Sequence, residues 1–116
     1  MAFTGRQLLE ISFSRHRILL RGGHNGLSRA IHWFHAIESV EEYQLLQSGE
    51  LVFLTGISVG SDAEKLLQLL QGAELRHCAG VVVNTGKYIA KIPEAAVSYA
   101  DAHALPLFEL PWDMRL

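Results

Sequence analysis

The sequence predicts a single α/β domain with a largely parallel sheet, strand-loop-helix repeats and flanking helices. Two short apolar runs, 51–54 and 80–83, each lead into a Thr-Gly pair, and a third apolar run spans 105–111. The runs alternate with amphipathic segments of helical periodicity. Strands that alternate with helices pair in parallel, because each helix carries the chain back to the starting edge of the sheet.

The first half of the chain is predicted to hold two helices and two strands. Thr4 caps a helix that runs through Ile11, because apolar residues recur there at helical spacing. Residues 16–20 form a strand that ends at Arg21, and glycines within 22–26 supply a turn. Residues 30–37, rich in aromatic and β-branched side chains, form one further strand. Ser39 caps a short helix, with Glu42 as its capping-box partner.

The second half is predicted to be more regular. Asp62 caps a leucine-rich helix after the strand at 51–54, and Pro93 lies in the first turn of another helix after the strand at 81–83. Pro106 suits the first position of a last strand. Parallel strands end at the same edge of a sheet, so three strand ends should lie together: Thr55, Asn84 and Glu109 to Pro111.

Composition excludes several classes of protein. The 116 residues carry 10 Lys and Arg against 12 Asp and Glu, a net charge of -2, so no broad positive field draws this chain to nucleic acid. Signal-sequence and membrane-spanning segments are not recognisable, which predicts a cytoplasmic domain that does not bind a membrane. The single cysteine, Cys78, lies among apolar residues and is interpreted as buried and structural.

The loop after the first Thr-Gly pair is a candidate ligand site. Thr55, Gly56 and Ser58 offer hydroxyls and accessible backbone N–H groups to a small anion or heterocycle. Ligands of α/β domains bind at the carboxyl ends of strands, which is where this loop falls. The alternative interpretation is that Thr-Gly only turns the chain.

The second Thr-Gly loop offers a richer set of groups. Asn84 and Thr85 supply an amide and a hydroxyl, Gly86 permits close approach, Lys87 supplies a cation, and Tyr88 supplies a ring for stacking. Lys87 as a solvated side chain and Tyr88 as half-buried packing are the alternatives. The glycine spacing differs from that of a P-loop.

The sequence gives little support for a metal-binding site or a catalytic site. His32 and His35 lie three apart on a predicted strand, so they point to opposite faces, and no metal or other cofactor is predicted. Glu38 and Glu109 are the carboxylates that could pair across the sheet edge as an acid and a base, with exposed helix caps as the alternative. The sequence therefore predicts that the chain is not an enzyme.

Seven segments of the chain follow one another in a characteristic order. They are Leu8-Leu9, residues 26–31 with Trp33 and His35, residues 49–57, Gly80 to Val83, Gly86 to Tyr88, Ile92-Pro93 and Leu105 to Pro111. This ordered set resembles the N-terminal domain of the purine catabolism regulator (PucR) family of bacterial transcription factors. The resemblance implies a sensor domain over residues 1–116, with the DNA-binding helix-turn-helix in a region absent from this chain.

Three classes of function follow. The first is a regulatory domain that binds a small metabolite, for which the resemblance suggests a purine-derived effector; Glu109 joins the two loops as a candidate ligand contact. The alternative is a protein-interaction module in which apolar surface around Trp33, Phe34 or Trp112 joins two copies as a homodimer. A small enzyme is the weakest, since no nucleophile and base lie together.

Overall fold

The computed structural model describes residues 3–12, 18–56, 59 and 62–111. Predictions at His16 and Trp112 therefore lie outside the described residues. The helices are α1 (Gly5–Ser12), α2 (Ala63–Leu75) and α3 (Glu94–His103), with short 3₁₀ helices at His24–Gly26 and Val40–Leu45. The strands are β1 (Phe3–Thr4), β2 (Leu19–Gly22), β3 (Ala30–Ile31), β4 (Trp33–Ile37), β5 (Glu50–Leu54), β6 (Gly80–Thr85) and β7 (Leu107–Pro111).

The main sheet has the strand order β2-β7-β6-β5-β4. Pairing is parallel from β4 to β7, which confirms the predicted α/β fold with a largely parallel sheet. β2 differs, because it runs antiparallel to β7 with Leu19 opposite Glu109. The turn after β2, which contains Gly23 and Gly26, packs closely against the backbone of Ala104 and Leu105 that leads into β7.

The strand predicted over residues 30–37 is two strands. β3 pairs with β1 in a separate small sheet, whereas β4 pairs with β5 in the main sheet. The break falls at His32, whose backbone N–H donates to the Gly49 carbonyl at 2.8 Å. Apolar content alone did not reveal that the two halves of this run have different partners.

The sheet carries apolar layers on both faces. Val52, Val81 and Leu107 belong to a core shared with α2 and α3. On the opposite face Val82 and Phe108 belong to a second core, against which residues of α1 pack. Because β5 and β6 are covered on both sides, they are continuous apolar runs, as is typical of parallel strands.

Local caps fix the helix starts near the strand ends. The Asp62 carboxylate accepts from the Glu64 and Lys65 amides at 3.0 and 3.2 Å, and so confirms the predicted N-cap of α2. The predicted capping box of Ser39 and Glu42 is present, but it begins a 3₁₀ helix. Pro93 is the residue before α3 rather than part of its first turn.

Candidate functional site

The two Thr-Gly loops meet at the carboxyl ends of β5 and β6. Gly56 has φ 89° and lies directly against Ile89, where a Cβ atom would stand 2.6 Å from Cγ1 of that isoleucine. The loops are thus adjacent, as the parallel pairing requires. Ile89 is buried between them, so this contact is apolar packing.

The Thr55 hydroxyl lies beside this contact. Its oxygen is buried and has no hydrogen-bond partner among the described residues. Ser58, predicted to act with Thr55 and Gly56, lies outside the described residues. The buried polar atom that the first loop places at the site is therefore the Thr55 hydroxyl oxygen.

The side chains of the second Thr-Gly loop make contacts with the neighbouring strand and with one another. The Asn84 amide donates from Nδ2 to the Leu110 carbonyl at 2.6 Å, which holds β6 against β7. The Lys87 ammonium lies 5.5 Å from the centroid of the Tyr88 ring, a cation–π distance. These contacts stabilise the loop, and a ligand contact by Asn84, Gly86, Lys87 or Tyr88 stays a prediction.

A chain of polar groups crosses from β6 to β2. The Thr85 hydroxyl, at the buried end of β6, donates to Glu109 Oε2 at 2.5 Å. The other carboxylate oxygen, Oε1, accepts from Arg21 Nε at 2.6 Å. The side chains of Arg21 and Glu109 are 47% and 18% exposed, so the pair is buried on the Thr85 side and open to solvent on the other.

Beside this pair the structure contains a cleft of about 750 Å³. It lies between the sheet edge, the segment that follows the second Thr-Gly loop, and the first turns of α3. Its size falls within the range of small-molecule sites. The cleft is lined by Arg21, Ala90, Lys91, Ile92, Glu94, Val97, Ser98 and Glu109.

Two of the nine residues predicted from sequence take part in this cleft. Glu109 lines it, and the Thr85 hydroxyl holds the Glu109 carboxylate in place by a hydrogen bond. The sequence interpretation missed Arg21, Lys91, Glu94 and Ser98. One signal could have found part of this set: Glu94 and Ser98 are four apart on a predicted helix and so share a face. Arg21 could not be placed, because its strand was not expected beside β7.

The other polar candidates are not assembled into a catalytic site. Glu38 follows β4, which is three strands away from β7, so about 14 Å of sheet separates it from Glu109. His35 lies with Nδ1 3.2 Å from Glu50 Oε1, as expected for a packed histidine with a hydrogen-bonded ring nitrogen. Among the described residues, no three His, Cys, Asp or Glu side chains are close enough to hold a metal ion.

Cys78 is fully buried, and burial raises the pKa of its thiol to about 11. The thiolate is the reactive form, so we expect Ellman's reagent at pH 8 to modify Cys78 only as fast as the domain opens. The rate should rise together with the unfolded fraction in urea. Rapid modification of the folded protein, at the rate of a free thiol, would contradict this structural role.

Two comparisons with known proteins relate this chain to a family of regulatory proteins. A family model described as Purine catabolism regulatory protein-like family matches residues 7–116. The Purine catabolism regulatory protein of Bacillus subtilis (strain 168) is 28% identical over 97 residues, which cover 84% of this chain and 18% of that relative. The chain thus spans about a fifth of the length of this relative. No helix in the described part of the chain is long and apolar enough to cross a membrane.

Proposed function

This chain belongs to the Purine catabolism regulatory protein-like family, and from that premise we propose that it is a small-molecule-sensing regulatory domain whose ligand binds in the cleft beside Arg21 and Glu109. The observation that carries the proposal is the open cleft of about 750 Å³ against the Thr85, Glu109 and Arg21 chain. A pocket with a few convergent polar groups is the usual form of a ligand site.

The lining chemistry suits a small polar heterocycle. Arg21 and Lys91 present hydrogen-bond donors, and Glu94 and Ser98 present acceptors. Ile92 and Val97 give the walls apolar area for a flat ring. A purine-derived metabolite carries ring N–H donors and carbonyl acceptors, and the name of the Bacillus subtilis relative supports that class.

The predicted loop residues have a place in this proposal. The segment from Gly86 to Lys91 leads from the second Thr-Gly loop into the cleft wall, so a ligand that orders this wall also orders the loop. Gly56 contacts Ile89 and Tyr88 of that segment, which extends the effect to the first loop. The residues proposed to respond to or contact the ligand are Thr55, Gly56, Ser58, Asn84, Thr85, Gly86, Lys87, Tyr88 and Glu109.

A ligand-binding experiment tests the proposal. Purine bases, urate and ring-opened ureides are titrated into the purified protein, and melting temperature and heat of binding are measured. At a concentration 100 times its Kd, a ligand should raise the free energy of unfolding by about 2.7 kcal/mol. If no compound of this class shifts the melting temperature, the purine-derived ligand is rejected.

Matched variants locate the site. Arg21→Gln and Lys91→Gln should each weaken binding about tenfold, since each removes a charged donor from the cleft. Arg76→Gln and Lys65→Gln are the controls, because both residues are exposed and neither lines the cleft. Equal loss of affinity in the control variants would place the ligand elsewhere.

Regulation of transcription requires DNA binding by a region outside these residues. The chain covers 18% of the Bacillus subtilis relative, so most of that regulator has no counterpart in it. The net charge of -2 makes DNA binding by this domain itself unfavourable. In the proposed mechanism the ligand changes the contacts that this domain makes with the attached or partner DNA-binding part.

A protein-interaction module is the second candidate function. It is favoured by two large apolar side chains on β4, Trp33 and Phe34, which are 66% and 59% exposed. Exposed aromatic residues that lie together mark interaction surfaces more often than scattered ones do. Tight self-association with no ligand response would favour this candidate over the sensor.

A further inference from the structure

We infer that β4 is the pairing strand of a homodimer, in which the outer edge of β4 in one copy pairs antiparallel with the same edge of a second copy. This inference deepens the second candidate function, the protein-interaction module: its surface is the outer edge of β4, and its partner is a second copy of the chain. It does not depend on ligand binding in the cleft, which lies at the opposite edge of the sheet.

The first observation is the direction of the β4 backbone groups. The Val81 N–H donates to the Pro106 carbonyl, so Val81 faces β7, and its neighbours Gly80 and Val82 face β5. By the same alternation Leu51 and Phe53 of β5 face β4, whereas the Glu50 carbonyl accepts from Ala79 on the β6 side. Because Phe34 lies opposite Leu51, the backbone groups of Trp33, His35 and Ile37 point to β5. The N–H and C=O groups of Phe34 and Ala36 therefore point away from the sheet, and no described strand pairs with them.

The second observation is the contrast between the two edges of the sheet. β2, at one edge, carries Arg21 and an irregularity in register between Leu20 and Gly22, both of which hinder pairing with another strand. β4, at the other edge, has the sequence Trp-Phe-His-Ala-Ile, with no Lys, Arg, Asp, Glu or Pro and a regular register over its whole length. The outer edge of β4 can therefore accept a further strand.

The third observation is the apolar surface along β4. The Trp33 and Phe34 rings stack with centroids 5.6 Å apart and an angle of 11°. Phe34 also meets the Phe53 ring edge to face at 6.2 Å. The result is a continuous aromatic surface that a partner strand would cover.

The strand is complementary to itself, which favours a second copy as the occupant. With a two-fold axis at His35, each Trp33 faces Ile37 of the second copy, and each Phe34 faces Ala36 of the second copy. A large side chain thus meets a small one, and no charged side chains are opposed. The outward groups of Phe34 and Ala36 on each strand would form about four backbone hydrogen bonds.

Sedimentation velocity over a range of protein concentrations tests the dimer. The unmodified 116-residue chain should sediment as a dimer. Ala36→Lys should raise the dimer dissociation constant about 100-fold, because the two-fold axis places the new ammonium twice in the interface. Leu75→Lys is the matched control, since Leu75 is 71% exposed and belongs to α2 rather than to β4. Circular dichroism of both variants verifies the fold.

Disulfide trapping tests the register. Phe34→Cys combined with Ala36→Cys should give a covalent dimer on mild oxidation, because these positions lie directly opposite each other on the paired strands. Neither single variant places two thiols opposite each other, and the buried Cys78 does not compete. A monomer at all concentrations, an unchanged dimer in Ala36→Lys, or equal trapping in the single variants would overturn the inference. Ligand binding with no dimer would leave the sensor function intact.

Discussion

Gly26→Ala is expected to lower the free energy of unfolding by about 4 kcal/mol. A Cβ atom at Gly26 would overlap the carbonyl oxygen of Ala104, in the backbone between α3 and β7. Backbone cannot rotate away as a flexible side chain can. The substitution must therefore separate the turn after β2 from the start of β7.

Urea denaturation followed by circular dichroism measures this effect. Asn25→Ala is the control, because Asn25 is exposed in the same short 3₁₀ helix. Gly23→Ala should be comparably damaging, since Gly23 has φ 73° and its Cβ would overlap the Leu105 carbonyl. Unfolding midpoints for Gly26→Ala and Asn25→Ala that differ little would show that the turn can move without cost.

Glu109→Ala is expected to destabilise the domain by about 2 kcal/mol. The Glu109 carboxylate accepts from Thr85 on its buried side and from Arg21 on its exposed side. Its removal leaves the buried Thr85 hydroxyl without an acceptor, which accounts for most of the loss. The Arg21 contribution is small, because 47% of that side chain is exposed and solvent screens its charge.

A double-mutant cycle separates the two contributions. In a Thr85→Val background, Glu109→Ala should cost less than in the unmodified protein, because no hydroxyl is left unsatisfied. Arg21→Gln alone should cost less than 1 kcal/mol by the same reasoning. If Glu109→Ala costs the same in both backgrounds, the Thr85 contact contributes nothing to stability.

Local signals predicted the regular elements well. Asp62 and the leucines that follow it were sufficient to predict α2, because a side-chain cap and apolar periodicity are both local. The Ser39 and Glu42 capping box was also predicted, although the helix after it has 3₁₀ geometry. The pairing partners of the strands were harder to predict from sequence. The direction of β2 and the break at His32 depend on contacts with residues far along the chain.

The candidate site also combines residues that the sequence predicted with residues that it did not. The sequence placed Thr85 and Glu109 at one end of the sheet, and the structure joins them by a hydrogen bond. Arg21 reaches them only because β2 is the neighbour of β7, which is a property of topology. The sequence interpretation made no prediction for Lys91 or Glu94, and the packing of α3 on the sheet shows that they line a cleft.

The position of β7 between β2 and β6 has a consequence for the order of folding. β2 has no other described partner in the sheet, so its ladder must wait until the segment Leu107–Pro111 has left the ribosome. Pairing between Leu19 and Glu109 spans 90 residues, and contacts of such separation form late because the loop they close is long. During synthesis β4, β5 and β6 can assemble first, while residues of β2 wait unpaired. Among the described strands β7 is thus the one that completes both the sheet and the wall of the cleft.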